Sequence, residues 1–431
     1  MNPISVNELT ESVNSNLPRD IKSTIAKNIL AEEKDSDIAK NIFSELINDL
    51  SSKTQREVVN ATGTVLHTNL GRSPNNISFP GRYTNIEYDL NTLSRGKRNE
   101  YLSVLMNNLI GSKDIAFVNN NASSLFLSLK AISKSHNIQN VIISRGEIIE
   151  IGGSYRLPEI INETDLNLVE IGTTNKTKLS DYSKALEKYQ NSLILKVHRS
   201  NFSINGFTED VSIEELAELK NKFDVFIFHD LGSGLVIDKK FLEINNVSIF
   251  KDEPFVQDSL SDGANLVMFS GDKLFGSVQS GIIAGDDNLV NEIKNYSLFR
   301  TYRCSPIILF ELQETVLKYI NKQEKEIPFW NLITQPYSSL EKRCKNIAKS
   351  ISFSTSIEKG ESVIGGGTLP DVTLESPILL INNEKTINTI NQLIRNDIPI
   401  IPRIIKDQVC LDLRSVFHNQ DDIIVKALNN S

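Results

Sequence analysis

A chain of 431 residues is long enough to form two or three domains with large cores. Its hydrophobic content of 39% and charged content of 23% are those of an ordinary globular protein. The net charge of −8 gives no overall attraction to nucleic acid or to anionic membranes, so a partner of either kind would need a local basic patch.

The cysteines Cys304, Cys344 and Cys410 are widely spaced and form no Cys-x-x-Cys pair. Neither a disulfide framework nor a metal site is therefore expected, and a reducing compartment is the natural setting. The first residues show no charged segment followed by an apolar stretch, so no secretion signal is expected. Because no apolar run approaches the roughly 20 residues that span a bilayer, we predict a cytoplasmic protein without a membrane partner.

Residues 1–57 are predicted to form a short helical arm. Apolar residues recur at three- and four-residue spacings in SVNELTESVNSNL and DIAKNIFSELINDL, which is typical of amphipathic helices. The arm carries ten acidic and seven basic residues, and its few cations include Arg19, Lys22 and Lys27. Packing or oligomerisation is as compatible with this pattern as binding to a partner.

From residue 58 to about residue 300, short apolar segments alternate with helical ones. The apolar segments are DIAFVNN, NVIISRG, SLILKVHRSN, FDVFIFHD, ANLVMFSGD and SGIIAGD. This alternation predicts an α/β domain over residues 58–300, with a mostly parallel sheet covered on both faces. A long helix with Pro306 in its first turn follows, and a new α+β pattern predicts a smaller domain over residues 301–431.

Three predicted strands end in side chains that suit a bound ligand. In DIAFVNNNASS, the strand passes through Asn120 and Asn121 into a helix, whose free N–H groups suit a phosphate. In FDVFIFHDLGSG, Asp230 is a carboxylate that needs a partner if it is buried. In MFSGDKLFG, Lys273 stands between apolar runs and is either a surface residue or a Schiff-base former.

Each of these features has an ordinary structural explanation when it is taken alone, because asparagines and aspartates cap helices and turns in many proteins. Together they match the needs of pyridoxal phosphate, which requires a phosphate site, a carboxylate against the pyridinium nitrogen and a lysine for the aldehyde carbon. Because ligands of open α/β sheets bind beyond the carboxyl ends of the strands, the three features are expected to meet. The sequence therefore predicts a pyridoxal phosphate site.

Several longer stretches resemble a known family, the bacterial selenocysteine synthases, which are L-seryl-tRNA(Sec) selenium transferases of the fold-type-I pyridoxal phosphate class. The resemblance runs in order over roughly residues 56–420. The similar stretches are VVNATGTVLHTNLGRSP (58–74), YTNIEYDL (83–90), SRGEIIEIGGSYRLPEI (144–160), EIGTTNKT (170–177), KVHRSNFSINGFT (196–208), DLGSG (230–234), SGDKLFG (270–276), IGGGTLPDV (364–372) and LDLRSV (411–416).

The resemblance implies a fold-type-I transferase and a replacement at the Cβ atom of serine esterified to tRNA(Sec). Water leaves by β-elimination, and selenium from selenophosphate adds to give selenocysteinyl-tRNA(Sec). Lys273 and Asp230 would be the catalytic residues, and both would bind the cofactor. The other cofactor-binding residues that it implies are Asn120, Asn121 and Ala122. His198 and His229, each at the end of a strand, are further candidates for contact with the cofactor, and for His229 a simple hydrogen-bonded role is favoured.

The same resemblance implies a second anion site, for selenophosphate, at Arg95, Arg300 and Arg303. The planar guanidinium group suits this role because it holds phosphate oxygens in a bidentate manner. It further implies a homo-oligomer, at least a dimer and in the family commonly a decamer, and a tRNA-binding role for the arm.

The sequence departs from the family pattern at a few positions. Ser305 and Pro306 replace an Asp-Lys pair, Ser277 and Val278 replace a Gly-Pro pair, and Pro402 replaces a glycine. None of these changes removes a predicted cofactor-binding group. Two alternatives to selenocysteine synthesis stay open at this point: a related pyridoxal phosphate lyase or transferase that acts on a small amino compound, and a catalytically inert RNA-binding or scaffold protein.

Overall fold

The computed structural model describes residues 4–77, 79, 81, 83–152, 155–382 and 386–429. Residues 153 and 154 of the stretch 144–160 lie outside this description. The chain divides into two compact units, of which the first comprises residues up to 58 with residues 397–399, and the second comprises the rest.

The helices of the described residues range from one turn to five turns. In chain order they are α1 (Val6–Glu11), α2 (Arg19–Glu32), α3 (Ser36–Lys53), α4 (Glu100–Ile110), α5 (Asn121–His136), α6 (Leu157–Asn162), α7 (Leu179–Lys188), α8 (Ile213–Ala217), α9 (Lys239–Ile244), α10 (Val256–Ser261), α11 (Asp287–Asn295), α12 (Phe299–Tyr302), α13 (Pro306–Ile320), α14 (Pro328–Ile333), α15 (Tyr337–Ser350), α16 (Thr386–Ile394) and α17 (Asp421–Asn429). As expected, Pro306 occupies the first turn of α13.

In the described part of the chain, the strands form two larger sheets and two two-stranded sheets. In chain order they are β1 (Val59–Ala61), β2 (Tyr88–Asp89), β3 (Ser94–Arg95), β4 (Asp114–Val118), β5 (Asn140–Ser144), β6 (Glu150–Ile151), β7 (Tyr155–Arg156), β8 (Asn167–Ile171), β9 (Ser192–Val197), β10 (Phe226–Gly232), β11 (Leu266–Ser270), β12 (Gly281–Gly285), β13 (Ser354–Gly365), β14 (Thr368–Asn382), β15 (Ile400–Ile405) and β16 (Gln408–Asp412).

The N-terminal unit is built from the helices α1 to α3. Ser5 caps α1 in a reciprocal capping box with Glu8, and the Asp35 carboxylate accepts hydrogen bonds from the first N–H groups of α3. The apolar spacing read from the sequence produces a small core of its own. Its buried members are Leu9, Ala26, Ile29, Ala39, Phe43 and Ile47.

A seven-stranded sheet in the order β4-β12-β11-β10-β9-β5-β8 organises the second unit. Neighbouring strands are parallel except for β12, which runs antiparallel to both β11 and β4. Apolar cores cover both faces, which explains why these strands read as continuous apolar runs. The carboxyl ends of β4, β11, β10 and β9 consequently lie at one edge of the sheet.

A second sheet of five strands has the order β1-β15-β16-β14-β13. Its strands are antiparallel except for the β1–β15 pair. The buried Asp412 carboxylate accepts hydrogen bonds from the Ser362 and Ser376 hydroxyls and pairs with Arg403, and a Cβ on Gly63 would collide with it. Strand β1 lies within residues 58–300, which were predicted as the first α/β domain, yet it pairs with β15 in this second sheet. The predicted domain boundary near residue 300 therefore stays a prediction.

Candidate active site

One cavity lies at the carboxyl edge of the large sheet, and we call it the lysine cavity. Its volume is about 200 Å³. The lining residues are Arg72, Asn120, Asn121, Ala122, Ile149, Gly152, Tyr155, Val197, His198, Ser200, Asp230, Gly232, Ser270, Asp272, Lys273 and Gln279. All the side chains predicted to hold the cofactor therefore meet in one place, because β4, β9, β10 and β11 end at the same edge.

Lys273 is only 5% exposed, and it lies in the turn that follows β11. Gly276 closes this turn at φ +76°, and its N–H group donates to the Lys273 carbonyl over 3.0 Å. Burial lowers the pKa of the Lys273 ammonium, and the nearby Arg72 guanidinium lowers it further against the opposing charges of Asp272, Asp230 and Glu253. The geometry thus favours the neutral, nucleophilic amine at a lower pH than for a free lysine.

Asp230 lies on β10, beside Lys273. The Asn121 side-chain amide donates to Asp230 Oδ1 over 2.7 Å, and the Gly232 N–H group donates to the same oxygen over 3.2 Å. Burial raises the pKa of the Asp230 carboxyl, against the lowering by the Asn121 hydrogen bond and the Lys273 charge. A protonated ring nitrogen at Asp230 Oδ2 would supply the cationic partner that such a buried carboxylate needs.

Helix α5 begins at this cavity. The Asn120 side chain caps the helix by accepting from the Ser123 N–H group over 2.9 Å. Asn121 Oδ1 is buried and has no hydrogen-bond partner among the described residues. Asn121 therefore turns its amide toward Asp230, while the first N–H groups of α5 remain available for an anion beside Ala122.

His198 follows β9, and its backbone N–H group donates to the Asp230 carbonyl over 2.9 Å. Its Nε2 atom lies 3.1 Å from Oε1 of the buried Glu253. The other histidine at this edge, His229, is buried and pairs with the Ser259 hydroxyl over 3.1 Å, which supports a structural role for it. His198 is the imidazole that lines the lysine cavity.

These residues fit pyridoxal phosphate. A buried lysine with a lowered pKa suits the aldehyde carbon, a carboxylate with one oxygen still to be paired suits the ring nitrogen, and a helix N-terminus suits the phosphate. The partnerless Asn121 Oδ1 gives the cavity a further buried acceptor. No group of three or more metal-ligating side chains is arranged to hold an ion in the described part of the chain.

The amino-acid sequence is similar to a protein family and to several named proteins. The family model described as "SelA: L-seryl-tRNA selenium transferase" matches residues 58–417. A protein of Campylobacter fetus subsp. fetus named L-seryl-tRNA(Sec) selenium transferase is 37% identical over 421 residues, which cover 95% of this chain and 92% of the relative. The protein of the same name from Aquifex aeolicus is 38% identical over 395 residues, 89% of this chain and 85% of the relative.

The chain belongs to the L-seryl-tRNA selenium transferase family. A solved structure of D-glucosaminate-6-phosphate ammonia-lyase is similar over 89% of this chain and 97% of that one, with a TM-score of 0.59 and 16% sequence identity. This likeness concerns the fold alone. Both the family predicted from the motifs and the α/β fold class are confirmed.

The three arginines that the family resemblance singled out line a second cavity, of about 640 Å³, which we call the arginine cavity. Arg95 and Arg300 are exposed, whereas Arg303 is half-buried. Arg95 and Arg303 each approach Glu87 to 3.6 Å. The structure therefore brings these arginines together, but in a cavity distinct from that of Lys273.

Both cavities adjoin the end of strand β4. Arg303 pairs with Val118, the last residue of β4, in an isolated bridge, and the Asn119 N–H group donates to the Tyr302 carbonyl over 3.0 Å. Asn120 and Asn121 of the lysine cavity follow directly. The arginine segment is thus held against the strand that leads into the lysine cavity.

Sequence reasoning missed several residues of both cavities. Arg72 donates to Asp272 over 2.9 Å next to Lys273, although the two residues are 200 positions apart in the chain. Arg98 donates to Glu87 over 2.8 Å, and this hydrogen bond is the largest cause of the lowered pKa of Glu87. Tyr155 lines the lysine cavity, and burial raises its pKa, as does the Asp230 charge. Arg72 and Tyr155 lie inside stretches that resemble the family, 58–74 and 144–160, and this resemblance was the sequence feature that could have identified them.

Proposed function

We propose that this protein converts L-seryl-tRNA(Sec) into L-selenocysteinyl-tRNA(Sec), with pyridoxal phosphate as cofactor and selenophosphate as selenium donor. The observation that carries the proposal is that Lys273, buried and of lowered pKa, lines one cavity together with Asp230 in a chain from this family. Bound pyridoxal phosphate supplies an electron sink that acidifies the Cα–H bond of an attached amino acid.

Lys273 has two tasks in this proposal. Its amine would hold the cofactor at the aldehyde carbon and would be freed when the α-amino group of the serine takes its place. The freed Nζ atom then takes the Cα proton, and its lowered pKa suits a base that works near neutral pH. That proton would go to the departing hydroxyl group, which leaves Cβ as water. The selenium of selenophosphate would then add to Cβ, Cα would regain a proton, and water would take up the phosphoryl group as phosphate.

The other cavity residues bind and orient. Asp230 Oδ2 would keep the ring nitrogen protonated, while Oδ1 is held by Asn121 and Gly232. Asn120, Asn121 and Ala122 would hold the phosphate at the start of α5, and His198 would contact the cofactor from the end of β9. Lys273 and Asp230 are thus proposed as catalytic residues, and the others as binding residues.

The arginine cavity is proposed as the selenophosphate site, with Arg95, Arg300 and Arg303 as its cations. Glu87 balances only part of this positive charge, so a phosphate group would find unneutralised guanidinium donors there. Delivery of selenium to Cβ would require the two cavities to act on one substrate. We further propose a homo-oligomer, at least a dimer, that works in the cytoplasm.

For the domains we propose an arm over residues 1–57, a cofactor-binding domain over 58–300 and a smaller domain over 301–431. The acidic balance of the arm makes it a weak ligand for phosphates, because such contacts need lysine and arginine. Contacts to tRNA would then come largely from other surfaces of the oligomer.

The proposal is tested with purified protein, pyridoxal phosphate, radiolabelled selenophosphate and seryl-tRNA(Sec). We expect label in the aminoacyl-tRNA, released by mild alkaline hydrolysis as selenocysteine. Seryl-tRNA(Ser) and free serine serve as matched controls, and neither should be labelled. Labelling of free serine without labelling of the tRNA would overturn the proposal in favour of a small-molecule enzyme.

A further inference from the structure

Glu253 is a buried carboxylate to which the mechanism above assigns no task. It is 6% exposed and lies just before α10. A carboxylate in such surroundings is costly unless both of its oxygens are paired. Its partners therefore show what it holds in place.

The two oxygens of Glu253 hold two edges of the lysine cavity. Oε1 lies 3.1 Å from His198 Nε2, and Oε2 accepts from the Ser233 hydroxyl over 3.1 Å. Ser233 belongs to the tight turn after β10, and its carbonyl accepts from the Leu274 N–H group, next to Lys273. A single buried carboxylate thus joins the end of β9 to the turn that faces the lysine.

The contact to Glu253 also determines the chemical state of the His198 ring. A carboxylate partner requires Nε2 to carry a proton, so in the neutral imidazole Nδ1 is the acceptor. The His198 backbone is fixed separately, through its N–H group on the Asp230 carbonyl. The imidazole is therefore held by its backbone and by one ring nitrogen before any ligand enters.

We propose that Glu253 is a positioning residue of the cofactor site, which acts through His198. It fixes the orientation and the tautomer of the imidazole that contacts pyridoxal phosphate, so that the ring need not be ordered when the cofactor binds. This inference rests on the proposed function only in that the lysine cavity binds pyridoxal phosphate. It does not depend on the identity of the tRNA or of the selenium donor.

The test is a double-mutant cycle on the dissociation constant of pyridoxal phosphate, measured by absorbance on the full-length, cofactor-stripped protein. The variants are Glu253→Gln, His198→Asn and their combination, with the exposed Glu243→Gln as a control. Loss of the charge-assisted hydrogen bond should weaken binding about tenfold in Glu253→Gln. The same change should have no further effect in the His198→Asn background, because the residue through which it acts is gone.

Two outcomes would overturn the inference. Unchanged affinity in Glu253→Gln would show that the imidazole needs no such support. An equal loss in both backgrounds would show that Glu253 acts through the Ser233 turn instead, and Ser233→Ala would then reproduce that loss.

A second readout needs neither cofactor nor a folded variant. The sequence contains five histidines, so ¹⁵N-histidine NMR of the cofactor-free wild type is tractable. The inference requires a second imidazole, besides His136, whose Nε2 atom lies 3.0 Å from Glu292 Oε2, in the Nε2-protonated form with a downfield, carboxylate-bonded proton. Absence of that signal contradicts it even if Glu253→Gln fails to fold. Failure of the wild type to bind pyridoxal phosphate would instead count against the proposed function.

Discussion

The lysine cavity and the arginine cavity differ in how deeply their charged side chains are buried. Lys273, Asp230 and Glu253 are each about 5–6% exposed, and Asp230 and Glu253 each accept hydrogen bonds from more than one element. The side chain of Arg95 is 80% exposed, and Arg95 and Arg303 share the Glu87 carboxylate. Folding therefore fixes the first cavity in advance, whereas the second keeps exposed cations, to which we propose that an anionic substrate binds.

The difference in burial changes how strongly the charges of each cavity interact. Buried charges interact strongly because little water screens them, and their pKa values move accordingly. Exposed arginines keep their charge and are screened by salt. Changes in the lysine cavity should therefore affect chemistry and cofactor binding, while changes in the arginine cavity should affect the affinity for one anionic substrate.

The largest effect is expected for Lys273→Ala. Loss of the amine removes both the attachment point of the cofactor and the base, so the rate of selenium transfer should fall by about 10³-fold or more. The exposed Lys251→Ala is a matched control and should retain the wild-type rate. Substantial turnover by Lys273→Ala would contradict the proposal that the lysine cavity carries out the chemistry.

The substitution Arg303→Ala should distinguish the role of the arginine cavity from that of the lysine cavity. The Arg303 side chain is 30% exposed and 3.6 Å from Glu87, so its loss should leave a folded protein. We expect the KM for selenophosphate to rise about tenfold, as for the loss of one charge-assisted phosphate contact, with unchanged affinity for pyridoxal phosphate. The exposed Arg395→Ala controls for a general charge effect. An unchanged KM with weakened cofactor binding would assign Arg303 to the lysine cavity instead.

The pH dependence of cofactor capture tests the electrostatics around Lys273. The neutral amine reacts with an aldehyde, so capture increases as the pH rises through the lowered pKa of Lys273. Arg72→Gln removes one cause of that lowering and leaves Asp272 without its cationic partner, and both changes raise the pKa. The midpoint of capture, followed by visible absorbance, should move to higher pH. A midpoint that stays or falls would show that Arg72 does not influence the lysine.

The smallest effect concerns one of the positions at which this chain departs from the family pattern. Ser277 is fully buried in the segment after Lys273, and its hydroxyl accepts from Thr315 of α13 over 2.9 Å. Ser277→Ala and Thr315→Val should each lower the free energy of unfolding by about 1 kcal/mol, and the double variant should lose little more than either. Strictly additive losses in urea unfolding would show that the pair is not coupled.

The sequence predicted correctly which residues lie together where the reactive or ligand-binding residue directly follows a strand. Lys273, Asp230 and Asn120 could be predicted to meet because parallel strands end at one edge, and this is where the structure places them. The arginine cavity was reached through the family resemblance alone, since Arg95 and Arg303 come from distant segments whose proximity has no local signal.

Residues that act through long-range pairing escaped prediction for the same reason. Glu253 lies 55 positions from His198, and only the fold shows that they touch. Arg72 and Asp272 are joined across two segments in the same way. Ser277 departs from the family pattern in the sequence, and the structure shows that its hydroxyl has a partner in Thr315.

The most direct test of the account is a titration of the cofactor-stripped protein with pyridoxal phosphate, followed by addition of seryl-tRNA(Sec). We predict a visible absorbance band that requires Lys273, is absent in Lys273→Ala, and shifts with seryl-tRNA(Sec) but not with uncharged tRNA(Sec) or free serine. A band that forms without Lys273, or no band at all, would contradict the assignment of the lysine cavity as the catalytic centre.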